Sequence, residues 1–176
     1  MKKLLTIAFC GAALFFGFSG SAQSQGDFRA SLGLAMGTKA SVDTDTGDDK
    51  LGIGLDLGVE YFVIDKLSLA PSYTYFFPAD LGSGVKYNTA NLNFDARYYL
   101  ADQFYAMAGY TSFSSKLSGG GGNISVSEGA WNIGAGAMLP MNDNMGINLQ
   151  LKYQSILDSA IDFDQIVGQV GVSMSF

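Results

Sequence analysis

Apolar and polar residues alternate along most of the chain. The alternation is clearest over residues 145–154, where every odd position is apolar and every even position is polar or glycine. Successive side chains of a β-strand point to opposite faces, so this segment is predicted to be a strand with one apolar face. The same period of two predicts seven further strands, at residues 28–37, 51–63, 67–77, 91–100, 104–114, 129–139 and 165–176.

The connections between these eight segments alternate in length. Long polar connections cover residues 38–50, 78–87, 115–128 and 156–164, and short ones cover residues 64–66, 101–103 and 140–144. A barrel that spans a membrane has tight turns at one end and long loops at the other. The pattern therefore predicts an all-β protein, an eight-stranded antiparallel up-and-down transmembrane β-barrel.

The start of the chain follows a different pattern. Lys2 and Lys3 precede an apolar run over residues 4–18, which closes on the small residues at 19–22. This run is shorter than the roughly 20 residues of a spanning helix and is typical of a cleaved secretory signal peptide. We expect residues 1–22 to be that signal and residues 23–176 to be one barrel domain. Its removal would take Cys10, the one cysteine, so neither a disulfide nor a thiol is expected in the mature protein.

The interior of an eight-stranded barrel is only just wide enough to be filled by side chains. One ladder of each strand carries bulky apolar residues, whereas the other carries many glycines, so the glycine-bearing ladder is predicted to face inward. The same ladder carries charges that would cost about 2 to 4 kcal/mol each in lipid. These predicted interior charges are Arg29, Asp56, Glu60, Asp95, Arg97 and Lys152. With Asn93, Asn132, Asn148, Gln150 and Gln169 they are expected to form a hydrogen-bonded network that fills the lumen.

Aromatic residues on the outward ladder fall into two bands, as expected for rings that collect at the two membrane interfaces. With both termini periplasmic, Phe28, Tyr61, Tyr98, Tyr105 and Phe176 lie near one rim. Phe77, Trp131, Tyr153, Tyr75 and Phe113 lie near the other rim. The fifth strand leaves an alternative open, because Phe104, Ala106, Ala108 and Tyr110 fit the outside almost as well.

Charge and composition narrow the chemistry. The formal charge of −6 becomes −8 once the signal takes two of the ten basic residues, which argues against nucleic acid as a partner. The chain has no histidine, so the usual general base and the commonest transition-metal ligand are missing. Asp56 and Glu60 share a strand face but lie about 13 Å apart, which favours ion pairing over a catalytic dyad. We therefore expect no enzyme, no catalytic residues and no cofactor.

The acidic segment 43–49 resembles a calcium-binding loop, because hard cations take several carboxylate oxygens. A calcium-binding loop of this type has glycine at its sixth position, whereas Gly47 is the fifth residue of this segment. No glutamate that could bind the ion through both oxygens follows it. A solvated surface loop is thus the favoured interpretation, and a dedicated metal site is the least favoured. Weak bridging of divalent ions to lipopolysaccharide ranks between these two interpretations.

The signal, the eight alternating strands and the terminal residues Val172, Met174 and Phe176 together resemble the small outer-membrane barrels typified by the transmembrane domain of outer membrane protein A, including small "porin family" proteins. The resemblance implies that Phe176 belongs to the signal read by the barrel-assembly machinery. We expect a monomer in the outer membrane of a Gram-negative-type bacterium, surrounded by outer-membrane lipid and lipopolysaccharide, with both termini periplasmic.

Three functions are compatible with this barrel. The leading hypothesis is a structural or surface-interaction protein that meets an extracellular ligand at loops 38–50, 78–87, 115–128 and 156–164. The alternative is a small porin or channel for small or apolar solutes, which the inward glycines would permit if they leave the lumen open. The second alternative, a soluble secreted lipocalin-like binding barrel, is disfavoured by the outward direction of the bulky ladder.

Overall fold

The computed structural model describes residues 24–42, 49–80, 86–119, 122–157 and 164–176. The predicted signal peptide and residues 43–48 of the acidic segment lie outside these ranges. The strands are β1 (Phe28–Val42), β2 (Asp49–Ile64), β3 (Leu67–Phe76), β4 (Ala79–Asp80), β5 (Lys86–Tyr99), β6 (Phe104–Gly119), β7 (Gly122–Pro140), β8 (Met145–Ile156) and β9 (Asp164–Ser175). Within the described ranges, no helix combines the length and hydropathy that a membrane span requires.

Antiparallel pairing joins each long strand to the next along the chain and closes the sheet into a barrel. β1 pairs with both β2 and β9, while β3 pairs directly with β5. β4 is a two-residue segment that pairs with the first residues of β5 above the end of β3. The barrel therefore has eight long strands, and the predicted fold class is confirmed.

The strands reach further at one end of the barrel than the alternation predicted. β6 and β7 stay paired up to Gly119 and Gly122, so most of the predicted loop 115–128 is a regular hairpin. β1 continues to Val42, and β5 begins at Lys86. These extensions are rich in serine and other polar residues, and their few large apolar residues, such as Leu117, Ile124 and Val126, alternate over too short a stretch to predict a strand. Backbone hydrogen bonds, which do not depend on side-chain polarity, hold them in the sheet.

The opposite end of the barrel carries the tight turns, the start of β1 and Phe176. β2 and β3 are joined through Asp65 and Lys66, with Ile64 paired to Leu67. Lys66 has φ 65°, a left-handed conformation that glycine adopts more readily. Phe176 donates its backbone N–H to the Phe28 carbonyl, which ties the last residue to the first strand.

The two faces of the wall differ sharply. Large apolar side chains on the outer face are half exposed, as at Leu32 (57%), Leu57 (56%) and Phe94 (53%). The inner face buries charges and amides instead. Burying apolar surface is favourable only where the surroundings are also apolar, so the outer face is suited to lipid and the inner face to a self-contained polar core.

Candidate functional site

The lumen contains every charged side chain that is buried in the described part of the chain. They are Arg29, Asp56, Glu60, Asp95, Arg97 and Lys152, three acids and three bases. The structure thus places all six predicted interior charges inside the barrel, where their formal charges sum to zero. A neutral set limits the electrostatic penalty of burial, provided that each charge also finds hydrogen-bonding partners.

Glu60 is the hub of the charged half of the lumen, the half nearer the tight turns. One carboxylate oxygen accepts hydrogen bonds from Ser68 Oγ at 2.5 Å and from the Tyr99 hydroxyl at 2.9 Å. The other oxygen faces guanidinium nitrogens of Arg97 at 3.5 Å and Arg29 at 3.7 Å. Because these partners come from β1, β3 and β5, this one carboxylate links strands on several sides of the lumen.

The two arginines are held by further contacts around this hub. Arg29 stacks on the ring of Phe62, 4.8 Å from its centroid, and donates to the Tyr99 hydroxyl at 3.1 Å. Arg97 lies 5.0 Å from the centroid of the Tyr105 ring and donates to Gln150 Oε1 at 3.0 Å. Aromatic faces stabilise buried cations, so each guanidinium has an electrostatic partner besides Glu60.

A second ion pair lies at the middle of the lumen. Lys152 Nζ donates to Asp95 Oδ2 at 3.2 Å, and both side chains are only 1% exposed. Asp56 is held differently, because Oδ2 accepts hydrogen bonds from Thr74 Oγ1 at 2.6 Å and from Gln169 Nε2 at 3.0 Å. Asp56 and Glu60 therefore bind separate partners and do not share a proton or a ligand position.

Amides and hydroxyls fill the other half of the lumen. Thr111 Oγ1 accepts from Asn132 Nδ2 and Gln154 Nε2, each at 2.9 Å. The same hydroxyl donates to Asn93 Oδ1 at 2.9 Å, and Asn93 Nδ2 reaches Ser72 Oγ at 3.1 Å. Thr111 is thus the centre of a neutral cluster that crosses the lumen, which we call the amide half.

An apolar cluster lies near each end of this polar core. The cluster at the end with the tight turns consists of Phe62, Tyr99, Tyr105, Met107 and Met138. At the other end Ala35, Phe76 and Val167 pack together. Tyr99 and Tyr105 belong to two groups of residues. Their rings pack in the apolar cluster, and their hydroxyls donate hydrogen bonds within the charged half.

The predicted outward positions of Tyr105 and Phe113 are wrong. Both point into the lumen, with exposures of 1% and 5%, and Tyr110 stands outside instead. The structure therefore has the alternative orientation of this strand, in which the even-numbered residues face outward. Gly136 shows the reason: it is paired with Tyr105 on the neighbouring strand, and a Cβ at this position would collide with the Tyr105 ring. A glycine on the facing strand makes room for an inward ring, which a pattern read one strand at a time does not reveal.

The other predicted aromatic positions stand on the outer surface. Phe28, Tyr61 and Tyr98 are exposed near the turns, whereas Phe77 and Trp131 are exposed nearer the long hairpins. Tyr153 packs beside Trp131, with ring centroids 5.5 Å apart. Phe176 is exposed and lies 6.1 Å from the Phe28 ring. Its role as an assembly signal stays a prediction.

Several lumen residues were not singled out by the sequence. Ser68, Thr74, Tyr99 and Thr111 supply the hydroxyls that satisfy the buried charges and amides. The alternation does place these residues on the inner face. Their chemical role could not be predicted, because it depends on which strands face each other across the lumen. Within the described ranges no three acidic, histidine or cysteine side chains are arranged to hold a metal ion.

Comparison with known proteins adds a family and a set of related folds. The sequence profile of the outer membrane protein β-barrel domain matches residues 10–176. Among solved structures, the attachment invasion locus protein Ail of Yersinia pestis has a TM-score of 0.61 at 16% identity, covering 86% of this chain and 99% of that chain. A search of curated protein sequences finds no match.

Two further structures give the same result. The N-terminal β-barrel domain of Pseudomonas aeruginosa OprF has a TM-score of 0.64 at 19% identity and covers 88% of this chain and 100% of that chain. Neisserial surface protein A has a TM-score of 0.60 at 14% identity, covering 85% and 94% of the two chains. At these identities the likeness concerns the fold.

Proposed function

Since the chain belongs to the outer membrane protein β-barrel domain family, we propose that it is a closed outer-membrane barrel that anchors a binding surface outside the cell. The family and the related folds make it an outer-membrane β-barrel protein. The proposal concerns the finer points: that the lumen does not conduct, that the long hairpins are extracellular and that they carry the function.

The packing of the lumen carries the first part of the proposal. The Glu60 cluster and the Asp95–Lys152 pair occupy the middle of the lumen, and an apolar cluster lies near each end. A solute would have to separate buried ions from their partners, and breaking such a pair costs about 3 to 5 kcal/mol. The barrel is therefore proposed to be a plug, not a pore.

The shape of the two ends supports the orientation. Membrane barrels of this kind have short periplasmic turns and longer extracellular loops. Here the tight turns share one end with the start of β1 and Phe176, and the β6–β7 hairpin extends from the other end. Lys86 and Lys116 are exposed on this hairpin end. We propose them as contacts for lipopolysaccharide phosphates, because an ammonium group attracts phosphate.

Conductance tests the closed lumen. The refolded protein, inserted in a planar bilayer, is expected to give no stable current steps above those of a protein-free preparation. Folding and insertion are checked on the same sample by the shift in gel mobility between unheated and boiled protein. Reproducible single-channel steps from heat-modifiable protein would overturn the plug and support a porin function instead.

Cysteine labelling tests the orientation. Cys10 is the one natural cysteine and lies in the predicted signal, so Ser125→Cys provides a single reporter at the long hairpin. Intact cells are expected to label at this position with a membrane-impermeant maleimide. Asp143→Cys, in the β7–β8 turn, is the matched control and should label only after the outer membrane is permeabilised. The reverse result would place the turns outside and refute the proposed orientation.

A further inference from the structure

One strand of the barrel wall contains a proline in its interior. Pro71 lies in the middle of β3, which pairs with β2 on one side and with β5 on the other. Proline has no backbone N–H, and within sheets it is normally confined to edge strands, strand starts and bulges. Because β3 is paired along both edges, one backbone hydrogen bond of the wall is lost at this position.

The lost hydrogen bond is the one that the Val59 carbonyl would accept. β2 and β3 pair on both sides of Val59 and Pro71, but these two residues are not paired with each other. Phe77 N, in the same register just after β3, donates to Ile53 O at 2.8 Å, so odd-numbered residues of this stretch bond towards β2. Residue 71 would therefore donate to Val59, and a proline cannot do so. The Val59 carbonyl is left without its strand partner.

This carbonyl belongs to the part of the wall that faces lipid. Val59 is 41% exposed on the outer face, and it stands two residues, or about 7 Å along the strand, from Tyr61 in the aromatic band near the tight turns. Water is scarce inside a bilayer, so a backbone carbonyl without a partner is costly there. A hydrogen-bond donor carried by a lipid would satisfy the Val59 carbonyl at this depth.

A groove in the outer wall adjoins the same carbonyl. It has a volume of about 620 Å³, and Val59 is among the residues that line it. Ala96 and Ala108 are paired across β5 and β6, and their small side chains form its floor. The larger rings of Phe94 and Tyr110 stand beside this floor. A mostly apolar groove with one polar group has the general form of a ligand site, and its low floor suits a hydrocarbon chain.

We propose that this groove binds a lipid acyl chain that carries a hydroxyl group near its headgroup end. The hydroxyl donates to the Val59 carbonyl, and the hydrocarbon lies along Ala96 and Ala108. A plain acyl chain fits the same groove but leaves the carbonyl unpaired, so the hydroxyl group determines selectivity. One hydrogen bond corresponds to a preference of about fivefold, or about 1 kcal/mol. The proposal goes beyond the surface-binding function and does not depend on it.

The chemistry of the groove favours a lipid over a second copy of this barrel as the occupant. A closed barrel uses its backbone N–H groups in its own sheet, so they are not available to a neighbour. The outer face of the wall is also dominated by side chains without donors, such as Leu57, Leu69 and Leu92. A lipid hydroxyl supplies the donor that a neighbouring barrel wall lacks.

The sequence allows the Val59 carbonyl to be observed alone. Val59 and Glu60 form the one Val–Glu step in the chain, so ¹³C at valine carbonyls and ¹⁵N at glutamate give a single carbonyl–amide NMR correlation. The protein is placed in nanodiscs of phosphatidylcholine, which has no hydrogen-bond donor, and titrated with methyl 3-hydroxytetradecanoate. The carbonyl resonance is expected to move downfield and to saturate. Methyl tetradecanoate should compete about fivefold more weakly and should not move the resonance downfield.

Two other valine carbonyls serve as internal controls. Val167 and Val170 are the valines that precede glycine, so labelling glycine instead of glutamate reports on them. Both are paired in the continuous registers of β9 with β1 and β8. Val170 also lines a second outer groove, of about 490 Å³. Neither resonance should respond to the hydroxylated ester, because each carbonyl belongs to an uninterrupted part of the sheet.

Two substitutions separate the carbonyl from the groove. Pro71→Ala restores an N–H opposite Val59, so the resonance should take its hydrogen-bonded position without ester and the fivefold preference should disappear. Ala108→Leu fills the floor and leaves the carbonyl unpaired, so the resonance should keep its position and stop responding. Ala106→Leu adds the same side chain to the outer face of β6 outside the groove and should respond as the unchanged protein does. Heat modifiability checks the fold of each variant.

Several results would overturn the proposal. They are no shift with the hydroxylated ester, equal downfield shifts with both esters, and a hydrogen-bonded resonance in the unchanged protein before any ester is added. A response that persists in Ala108→Leu would place the hydroxyl outside the groove and would also overturn it. A conducting lumen or an inverted orientation would refute the proposed function without changing any of these results.

Discussion

The two halves of the lumen solve the same problem with different chemistry. In the charged half, Glu60 contacts two arginines and two hydroxyls, and Asp95 pairs with Lys152. In the amide half, neutral groups share the hydroxyl of Thr111. Buried polar atoms without a protein partner occur among both kinds of side chain: Asp95 Oδ1 and Arg97 Nε among the charged ones, and the amide oxygens of Asn91, Asn132, Gln154, Gln165 and Gln169 among the neutral ones. More of these unsatisfied atoms are therefore neutral than charged.

This difference sets how each half responds to substitution. A buried group that loses its partner carries its desolvation penalty, which is about 3 to 5 kcal/mol for a charge and about 1 to 3 kcal/mol for a neutral amide. The charged half is therefore expected to determine the stability of the barrel. The amide half is expected to fill space and to tolerate exchange of partners.

Replacing Glu60 should have the largest effect. Glu60→Ala leaves Arg29 and Arg97 buried without their shared carboxylate, which should lower the free energy of unfolding by about 5 kcal/mol, the upper end of the range for such losses. Urea unfolding in detergent micelles, followed by tryptophan fluorescence and gel mobility, measures the change. Ser68→Ala removes one neutral donor to the same carboxylate and serves as control, with an expected loss of about 1 to 3 kcal/mol. Equal losses in both variants would contradict the role of Glu60 as hub.

The Lys152–Asp95 pair should give a smaller but cleaner effect. Lys152→Met leaves one carboxylate unpaired, with an expected loss of about 3 kcal/mol. Adding Asp95→Leu removes that carboxylate as well and should recover most of the loss, because a buried ion pair can often be replaced by apolar residues at little net change. The recovery is measured as the coupling energy of a double-mutant cycle in the same unfolding experiment. Additive losses would show that the two side chains act independently.

The sequence predicted the barrel well because one face of every strand meets lipid. That contrast produced the period of two from which the strand number, the closure and the inward ladder with Glu60 and Lys152 followed. It failed where the contrast disappears. Residues 115–128 are mostly polar, with Leu117, Ile124 and Val126 as their large apolar residues, so the alternation was too short there to predict the strand pairing.

The alternation also could not predict which side chains bind each other inside the lumen. The alternation places Tyr99 and Thr111 on the inner ladder, but it does not say that Tyr99 meets Glu60 or that Thr111 meets Gln154. Those contacts depend on the shear of the closed barrel, which sets the heights of distant strands. The position of Tyr105 was predicted wrongly because it too depends on another strand. The space for its ring is provided by Gly136 on the neighbouring strand.

The smallest predicted effect comes from removing a hydrogen-bonded hydroxyl in the amide half. Thr111→Val keeps the shape of the side chain but removes the oxygen that three amides share, so the free energy of unfolding should fall by about 1 to 3 kcal/mol. Thr89→Val is the matched control, since the Thr89 hydroxyl is buried yet has no protein partner, and this variant should lose less. If the two variants unfold at the same urea concentration, Thr111 is not the centre of the amide half. A Thr111→Val loss as large as that of Glu60→Ala would remove the distinction between the halves altogether.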